Sequence, residues 1–354
     1  MRRFSLAFDP LATLLTLAIG AAGGLAAKAA GLPLALLLGS LTAVGCSAAF
    51  RLRLFNRAIA VPQSLRTLFV PVIGLGIGGS FTPEVLAQMP GWWSSLLALG
   101  LYIPMAHYIG YRIYRRLGPL DAPTAFFGAV PGGLIESVTL GQEAGADERM
   151  LVLLQFLRLI LTIVAVPLIF SWLTGHTVGS SAGVSTGGHS PLGAPDVLVL
   201  ALCGVLGVLI GTRLRMPAAV MTGPLTLSAL AHLAGLTEAV PPGWAVQVTQ
   251  VVIGSVLGAR FAGLTRGALP MALRLAVVNV SAMMLLAFGF AFALAGVVGQ
   301  PAMAVFLAFA PGGLAEMSLI ALSLQMSVVY VTAHHVARII FSVLVARAFS
   351  GRIG

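Results

Sequence analysis

Residues 74–158 and 254–338 are two copies of one apolar unit, related without a gap by a shift of 180 positions. Gly74, Gly78, Phe81 and Pro90 recur as Gly254, Gly258, Phe261 and Pro270. Phe126, Pro131, Gly132, Gly133, Leu134, Glu136 and Arg158 recur as Phe306, Pro311, Gly312, Gly313, Leu314, Glu316 and Arg338. A duplicated unit must fold into two matching bodies, and any charge it carries appears twice. Duplicated membrane units are the common framework of secondary transporters, whose sites lie where the copies meet.

The lipid setting follows from composition. Of 354 residues, 58% are hydrophobic and 8% charged, with mean hydropathy +1.02. Soluble domains average about 25% charged residues. The apolar stretches are long rather than alternating, which excludes a β-barrel. The net charge of +10 is read as membrane orientation, with no nucleic-acid partner. Cys46 and Cys203 lie in apolar helices and are read as small packing residues. Met1-Arg2-Arg3 followed by an apolar run and Ala27-Lys28-Ala29 imitates a signal peptide. The same element recurs at 196–215, deep in the chain, so the first is read as a retained helix.

Apolar segments fall near 11–29, 32–50, 66–81, 92–115, 122–140 and 150–173. A second set falls near 196–212, 217–236, 244–260, 272–297, 302–322 and 327–348. The first hairpins match at a shift of 184, Leu32-Pro33 and Gly39 aligning with Met216-Pro217 and Gly223. Between the sets, a Gly/Ser/Thr-rich tract reads as a flexible external linker. The expected organisation is membrane repeat 1 over 1–174, linker over 175–195 and membrane repeat 2 over 196–354.

Basic residues decide orientation. Six crossings per set would place Arg213, Arg215, Arg260, Arg266 and Arg274 outside. Letting one segment per set enter and leave on the same side brings all of them to the cytoplasm with both termini. Only Lys28 is then outside, and Trp92, Trp93, Trp172 and Trp244 fall at the outer interface. Five crossings per set also make the sets inverted. The segment that fails to cross is assigned to 122–140 and 302–322, because Pro-Gly-Gly breaks a helix. The fold class is therefore an all-α polytopic membrane protein. It has two inverted repeats of about five crossings each, plus a discontinuous or re-entrant Pro-Gly-Gly helix per repeat.

Two constellations carry the candidate chemistry. In the first, Pro131, Gly132, Gly133 and Glu136 match Pro311, Gly312, Gly313 and Glu316. Proline suits the first turn of a new half-helix, and paired glycines admit close approach by a ligand or another backbone. Such a half-helix aims its positive end at the bilayer midplane. In the second, Gln155 and Arg158 match His335 and Arg338, with His334 alongside. Residues three and four apart share a helix face, so His334, His335 and Arg338 are expected to form a polar stripe. Each buried arginine needs an anionic or carbonyl partner, and Glu136 and Glu316 are the expected ones, within or across copies. The bland alternative is a Glu–Arg lock with no solute contact. His107, His176, His189 and His232 are scattered and read as structural. No metal or nucleophile constellation is present, so neither a cofactor nor enzymatic chemistry is expected.

The duplicated Pro-Gly-Gly-Leu-x-Glu with a following Gln/His-x-x-Arg resembles the AbrB family of bacterial inner-membrane proteins. That family is also labelled putative ammonia monooxygenase or AbrB duplication. The resemblance covers nearly the whole chain. It implies an inner-membrane location and a role in regulating gene expression. It also implies kinship with cation/proton antiporter-like and anion transporters, which carry inverted repeats and crossed broken helices. The expected function is a secondary transporter or permease of a small solute or ion, anions included, with a midplane Glu/Arg site at the repeat interface. The other reading is a membrane-embedded sensor or regulator. The expected partners are the lipid bilayer and the solute, and assembly as a homo-oligomer is compatible with both readings.

Overall fold

Capping residues and prolines set where the apolar segments become helices. A computed structural model describes residues 9–175, 192–263, 267–324 and 326–350. Asp9 opens α1 (Pro10–Ala29) by accepting from the backbone N–H groups of Leu11 and Ala12, with Pro10 at a position that needs no donor. After Pro33 the chain makes a left-handed residue, Leu34, before α2 (Ala35–Ala49). A two-residue hairpin follows, β1 (Arg53–Leu54) and β2 (Arg57–Ala58). Its turn residues Phe55 and Asn56 both have positive φ, the twist-matched geometry for so tight a loop. This hairpin was not expected from the sequence.

Next come α3 (Gln63–Gly78), the short α4 (Pro83–Gln88) and α5 (Trp93–Leu117). Helix α3 meets the α4–α5 arm at 80°. The first Pro-Gly-Gly segment forms α6 (Ala122–Ala129) and α7 (Leu134–Glu143), and α8 (Glu148–Thr174) follows. The second set runs through α9 (Ala194–Arg213), α10 (Ala219–Leu233), α11 (Gly243–Ala259) and α12 (Leu269–Val298). It ends with α13 (Ala302–Phe309), α14 (Leu314–Ser323) and α15 (Val328–Ser350). Corresponding helices share lengths: 20 residues in α1 and α9, 15 in α2 and α10, 8 in α6 and α13, 10 in α7 and α14. Most of the expected linker, 176–191, with His176 and His189, lies outside the described residues, as does Arg266.

The chain is thus an all-α polytopic membrane protein. Among the described residues, six helices are long and apolar enough to cross a bilayer, or seven if α3 and the arm bent against it count together as one span. The sequence reading expected ten crossings. The difference includes α2 and α10, which at 15 residues reach about 22 Å, short of the ~30 Å hydrocarbon core. Turns at Pro33–Leu34 and Pro217–Ala218, each with a left-handed residue, take up the start of each segment.

Small residues let the helices meet closely, as membrane helix pairs require. A Cβ on Gly74 of α3 would stand 2.5 Å from the Met221 carbonyl oxygen of α10. A Cβ on Gly254 of α11 would stand 2.4 Å from that of Leu37 in α2. Each partnership therefore joins one helix from the first set to one from the second. Around the centre, α5, α8, α13 and α15 bury aromatic side chains. Tyr102 lies edge-on to Phe290 and Phe309, with ring centres 5.4 and 5.2 Å away. Trp93, Trp172 and Trp244 are exposed, but Trp92 is buried edge-on against Tyr330. The expectation that Trp92 faces the interface is corrected, because its ring fills the core above α15. Cys203 is buried as expected, whereas Cys46 is exposed.

Candidate functional site

Each break begins where a residue precedes proline. Steric clash with the proline ring drives that residue out of the helical region. Val130 (ψ 121°) and Ala310 (ψ 142°) are extended accordingly, and α6 and α13 end there. Pro131 and Pro311 sit within the breaks rather than in the first turn of the next helix. Gly133 and Gly313 are the capping positions of α7 and α14, so that expectation is corrected. Gly133 is left-handed (φ 68°), whereas Gly313 is extended (φ −78°, ψ 150°).

A helix that stops at membrane depth leaves carbonyl oxygens without partners. Here side chains supply the donors. Gln155 Nε2 donates to the carbonyls of Phe127 (3.0 Å), Gly128 (3.2 Å) and Val130 (3.3 Å). Arg158 Nη1 donates to the Val130 carbonyl. In the second set His335 Nε2 donates to the Leu307 carbonyl at 3.0 Å. Arg338 donates through Nη1 to Ala310 and through Nη2 to Gly312. Leu307 and Ala310 are the counterparts of Phe127 and Val130, so glutamine and histidine do the same job at matched positions. A carbonyl only accepts, so Nε2 of His335 carries the proton. The sequence reading had Glu136 and Glu316 neutralising the arginines. That is corrected: both guanidinium groups brace the C-terminal ends of their own copy's broken helices, where cations are favoured.

The breaks also touch the opposite arginine helix. A Cβ on Gly132 would lie 3.1 Å from Ser342 Oγ and 3.6 Å from the Arg338 carbonyl oxygen of α15. A Cβ on Gly313 would lie 3.0 Å from Leu159 Cδ1 of α8. The two breaks, Arg158 and Arg338 therefore belong to one centre.

The glutamates sit in the first turn of their half-helices, near the positive end. Glu316 is fully buried, and its Oε2 lies 2.0 Å from where a Gly313 Cβ would stand. Only glycine leaves room for that carboxylate to fold back. Its Oε1 is 3.4 Å from Arg66 Nη2 of α3. Glu136 is half-buried and makes no salt bridge among the described residues.

His334 does not join the stripe of His335 and Arg338. Its Nδ1 donates to the Tyr330 carbonyl at 2.8 Å, and its Nε2 is 2.8 Å from Ser95 Oγ on α5. Successive residues diverge by about 100° around a helix, so the two rings face different neighbours. Arg66 and His107 were missed as site residues. His107 Nε2 donates to the Phe126 carbonyl at 2.9 Å, adding a brace next to the first break. Arg66 carried a signal: it lies in the first turn of α3, where a cation opposes the helix dipole.

Two discontinuous helices, braced at their broken ends by buried cations and each packed against the arginine-bearing helix of the other set, define a class of polytopic membrane protein with an irregular polar centre. Comparison with known proteins narrows the class. A family model described as "Transition state regulatory protein AbrB" matches residues 36–353, and the chain belongs to that AbrB family. It is 28% identical to "Uncharacterized protein YhjN" of Bacillus subtilis (strain 168), across 94% of this chain and 91% of that protein. It is 26% identical to "Putative regulator AbrB" of Escherichia coli (strain K12), across 88% of each chain.

Proposed function

We propose that this protein is a secondary transporter or permease of a small solute, acting at the centre formed by the two breaks. One observation carries the reading. Irregular backbone is tolerated at membrane depth only against protein or a solvated cavity. Here it occurs twice, with ionisable residues that membranes rarely bury without a task. In this reading the halves 1–174 and 196–354 are inverted repeats. The exchanged α3–α10 and α11–α2 glycine contacts support that arrangement. Both termini are cytoplasmic, the linker is external, and the membrane is the bacterial inner membrane. No covalent catalysis is involved.

The test is gradient-driven flux in proteoliposomes across small carboxylates, amines and inorganic ions. At least one class should move, and Gly132→Leu or Gly312→Leu should stop it while membrane insertion persists. Absence of flux for every class, with a solute still bound, would replace transport by sensing. The name of the Escherichia coli relative, a putative regulator, favours that second reading. Impermeant labelling of single cysteines checks orientation: a linker cysteine that reacts only from the cytoplasmic side would sink the inverted arrangement.

A further inference from the structure

Arg66 and Arg260 converge beside Glu316 from two different helices. Gln63 and Arg66 are three residues apart and share a face of α3. Arg260, at the end of α11, donates through Nη2 to Gln63 Oε1 at 3.0 Å. Its guanidinium also lies over the Phe156 ring, 5.9 Å from the centroid. Arg260 interacts electrostatically with both Arg66 and Glu316. Two fixed cations thus share one carboxylate, leaving a surplus of one positive charge.

That carboxylate is held loosely. The 3.4 Å contact is longer than the roughly 2.7–2.9 Å of a charge-assisted hydrogen bond. Arg66 Nε and Glu316 Oε2 are both buried without a hydrogen-bond partner among the described residues. A planar guanidinium with free donors matches the paired oxygens of a carboxylate or a phosphate, and the group already seated here is a carboxylate. The pair of arginines has no counterpart at the positions that match it in the other copy. Shifting by 180 positions replaces Arg66 by Val246 and Arg260 by Ser80.

We propose that Arg66 and Arg260, with Gln63, form a recognition site for a small carboxylate, in which the Glu316 side chain is the internal occupant that the solute displaces. This names the solute class for the transport reading and rests on that reading for its consequence. Displacing Glu316 removes the tie between α14 and α3, loosening the half-helix next to the second break. Arg158 and Arg338 stay on their carbonyls throughout.

The experiment uses the full-length protein in lipid nanodiscs and follows the thermal unfolding midpoint against concentration. Acetate, succinate and benzoate are the probes, acetamide and succinamide their uncharged counterparts, and inorganic phosphate a different anion. At least one carboxylate should give a saturable rise, with no response to its amide. Glu316→Gln should tighten that apparent affinity about tenfold, the factor that ~1.4 kcal/mol represents. Arg260→Gln and Arg66→Gln should each weaken it at least as much. Should Arg66→Gln fail to fold, the neutral pair Arg66→Gln/Glu316→Gln takes its place and should not bind.

Three results overturn the site: no carboxylate response in Glu316→Gln, a response to phosphate alone, or unchanged affinity without the arginines. Arginine-dependent binding with no flux would end the transport reading and keep the site. Carboxylate flux through Arg66→Gln/Glu316→Gln at the unmodified rate would keep transport and remove the site.

Discussion

The partner of Glu316 is testable by two double-mutant cycles, one against Arg66 and one against Arg338. At 3.4 Å and an effective dielectric constant near 20, the Coulomb attraction of Glu316 and Arg66 is ~5 kcal/mol. The Arg66 side chain is 31% exposed, so solvent screening reduces the expected coupling to ~2 kcal/mol. The single variants should be unequal. Glu316→Gln leaves an arginine that can turn towards water and costs about 1–2 kcal/mol. Arg66→Gln strands a fully buried carboxylate and costs about 3–5 kcal/mol. Adding Glu316→Gln to Arg66→Gln should recover much of that loss. Arg338→Gln instead orphans the Ala310 and Gly312 carbonyls, at about 1–3 kcal/mol each. Its cycle with Glu316 should couple by less than about 0.5 kcal/mol, as for sites without shared partners. Unfolding of the detergent-solubilised protein, followed by tryptophan fluorescence, gives all the values. Coupling of 2 kcal/mol or more between residues 316 and 338, or none between 66 and 316, would refute the assignment.

His335→Gln should keep both stability and activity, because Gln155 braces the matched carbonyl with an amide, whereas His335→Leu should cost about 1–3 kcal/mol in the same unfolding assay. Gly223→Ala places a Cβ 2.0 Å from the Gly207 carbonyl oxygen and should lose about 1–3 kcal/mol or more, while Gly289→Ala, facing open space, should not destabilise. At the start of α1, the Ala12 and Leu11 N–H groups and Arg57 hold the Asp9 carboxyl below its ordinary range, the Ala12 bond contributing most. A lowered folded pKa gives stability that is present above the unfolded value and lost as pH falls through the folded one. Hydrogen exchange at Ala12, corrected for its intrinsic rate, should therefore stay protected down to about pH 4 and rise only below it.

The breaks were legible in the sequence because proline and glycine act locally. Pro131 and Pro311 displace the residue before them whatever surrounds it, and the half-helices lie where Pro-Gly-Gly placed them. The arginines were legible as buried and needing partners, but not which partners they take. Val130, Ala310 and Gly312 accept through their backbone, and a carbonyl acceptor leaves no mark in residue identity. Glu316 was visible, yet its ion-pair partner Arg66 lies 250 positions away, on a helix start that the positive-inside pattern explained by itself. Trp92 shows the same limit. A tryptophan at a segment end fits the interfacial rule equally well whether the ring meets lipid or Tyr330.

What the duplication hides is the unequal setting of its two halves. Leu314 to Ala321 of α14 are buried throughout, whereas Glu136, Thr139 and Glu143 of α7 are partly or fully exposed. Both half-helices begin with glycine and carry glutamate in the first turn, so local sequence does not cause the difference. The cause is tertiary. Glu316 is drawn onto α3 by Arg66, while Val246 and Ser80 occupy the positions that match Arg66 and Arg260 and offer no charge. Buried charge without a partner is expensive, so a carboxylate on α14 can be fully enclosed only because that arginine is there. The carboxylate on α7, lacking one, stays partly in reach of solvent. One motif thus yields an enclosed glutamate and an accessible one. Any mechanism that treats Glu136 and Glu316 as interchangeable is inconsistent with these surroundings.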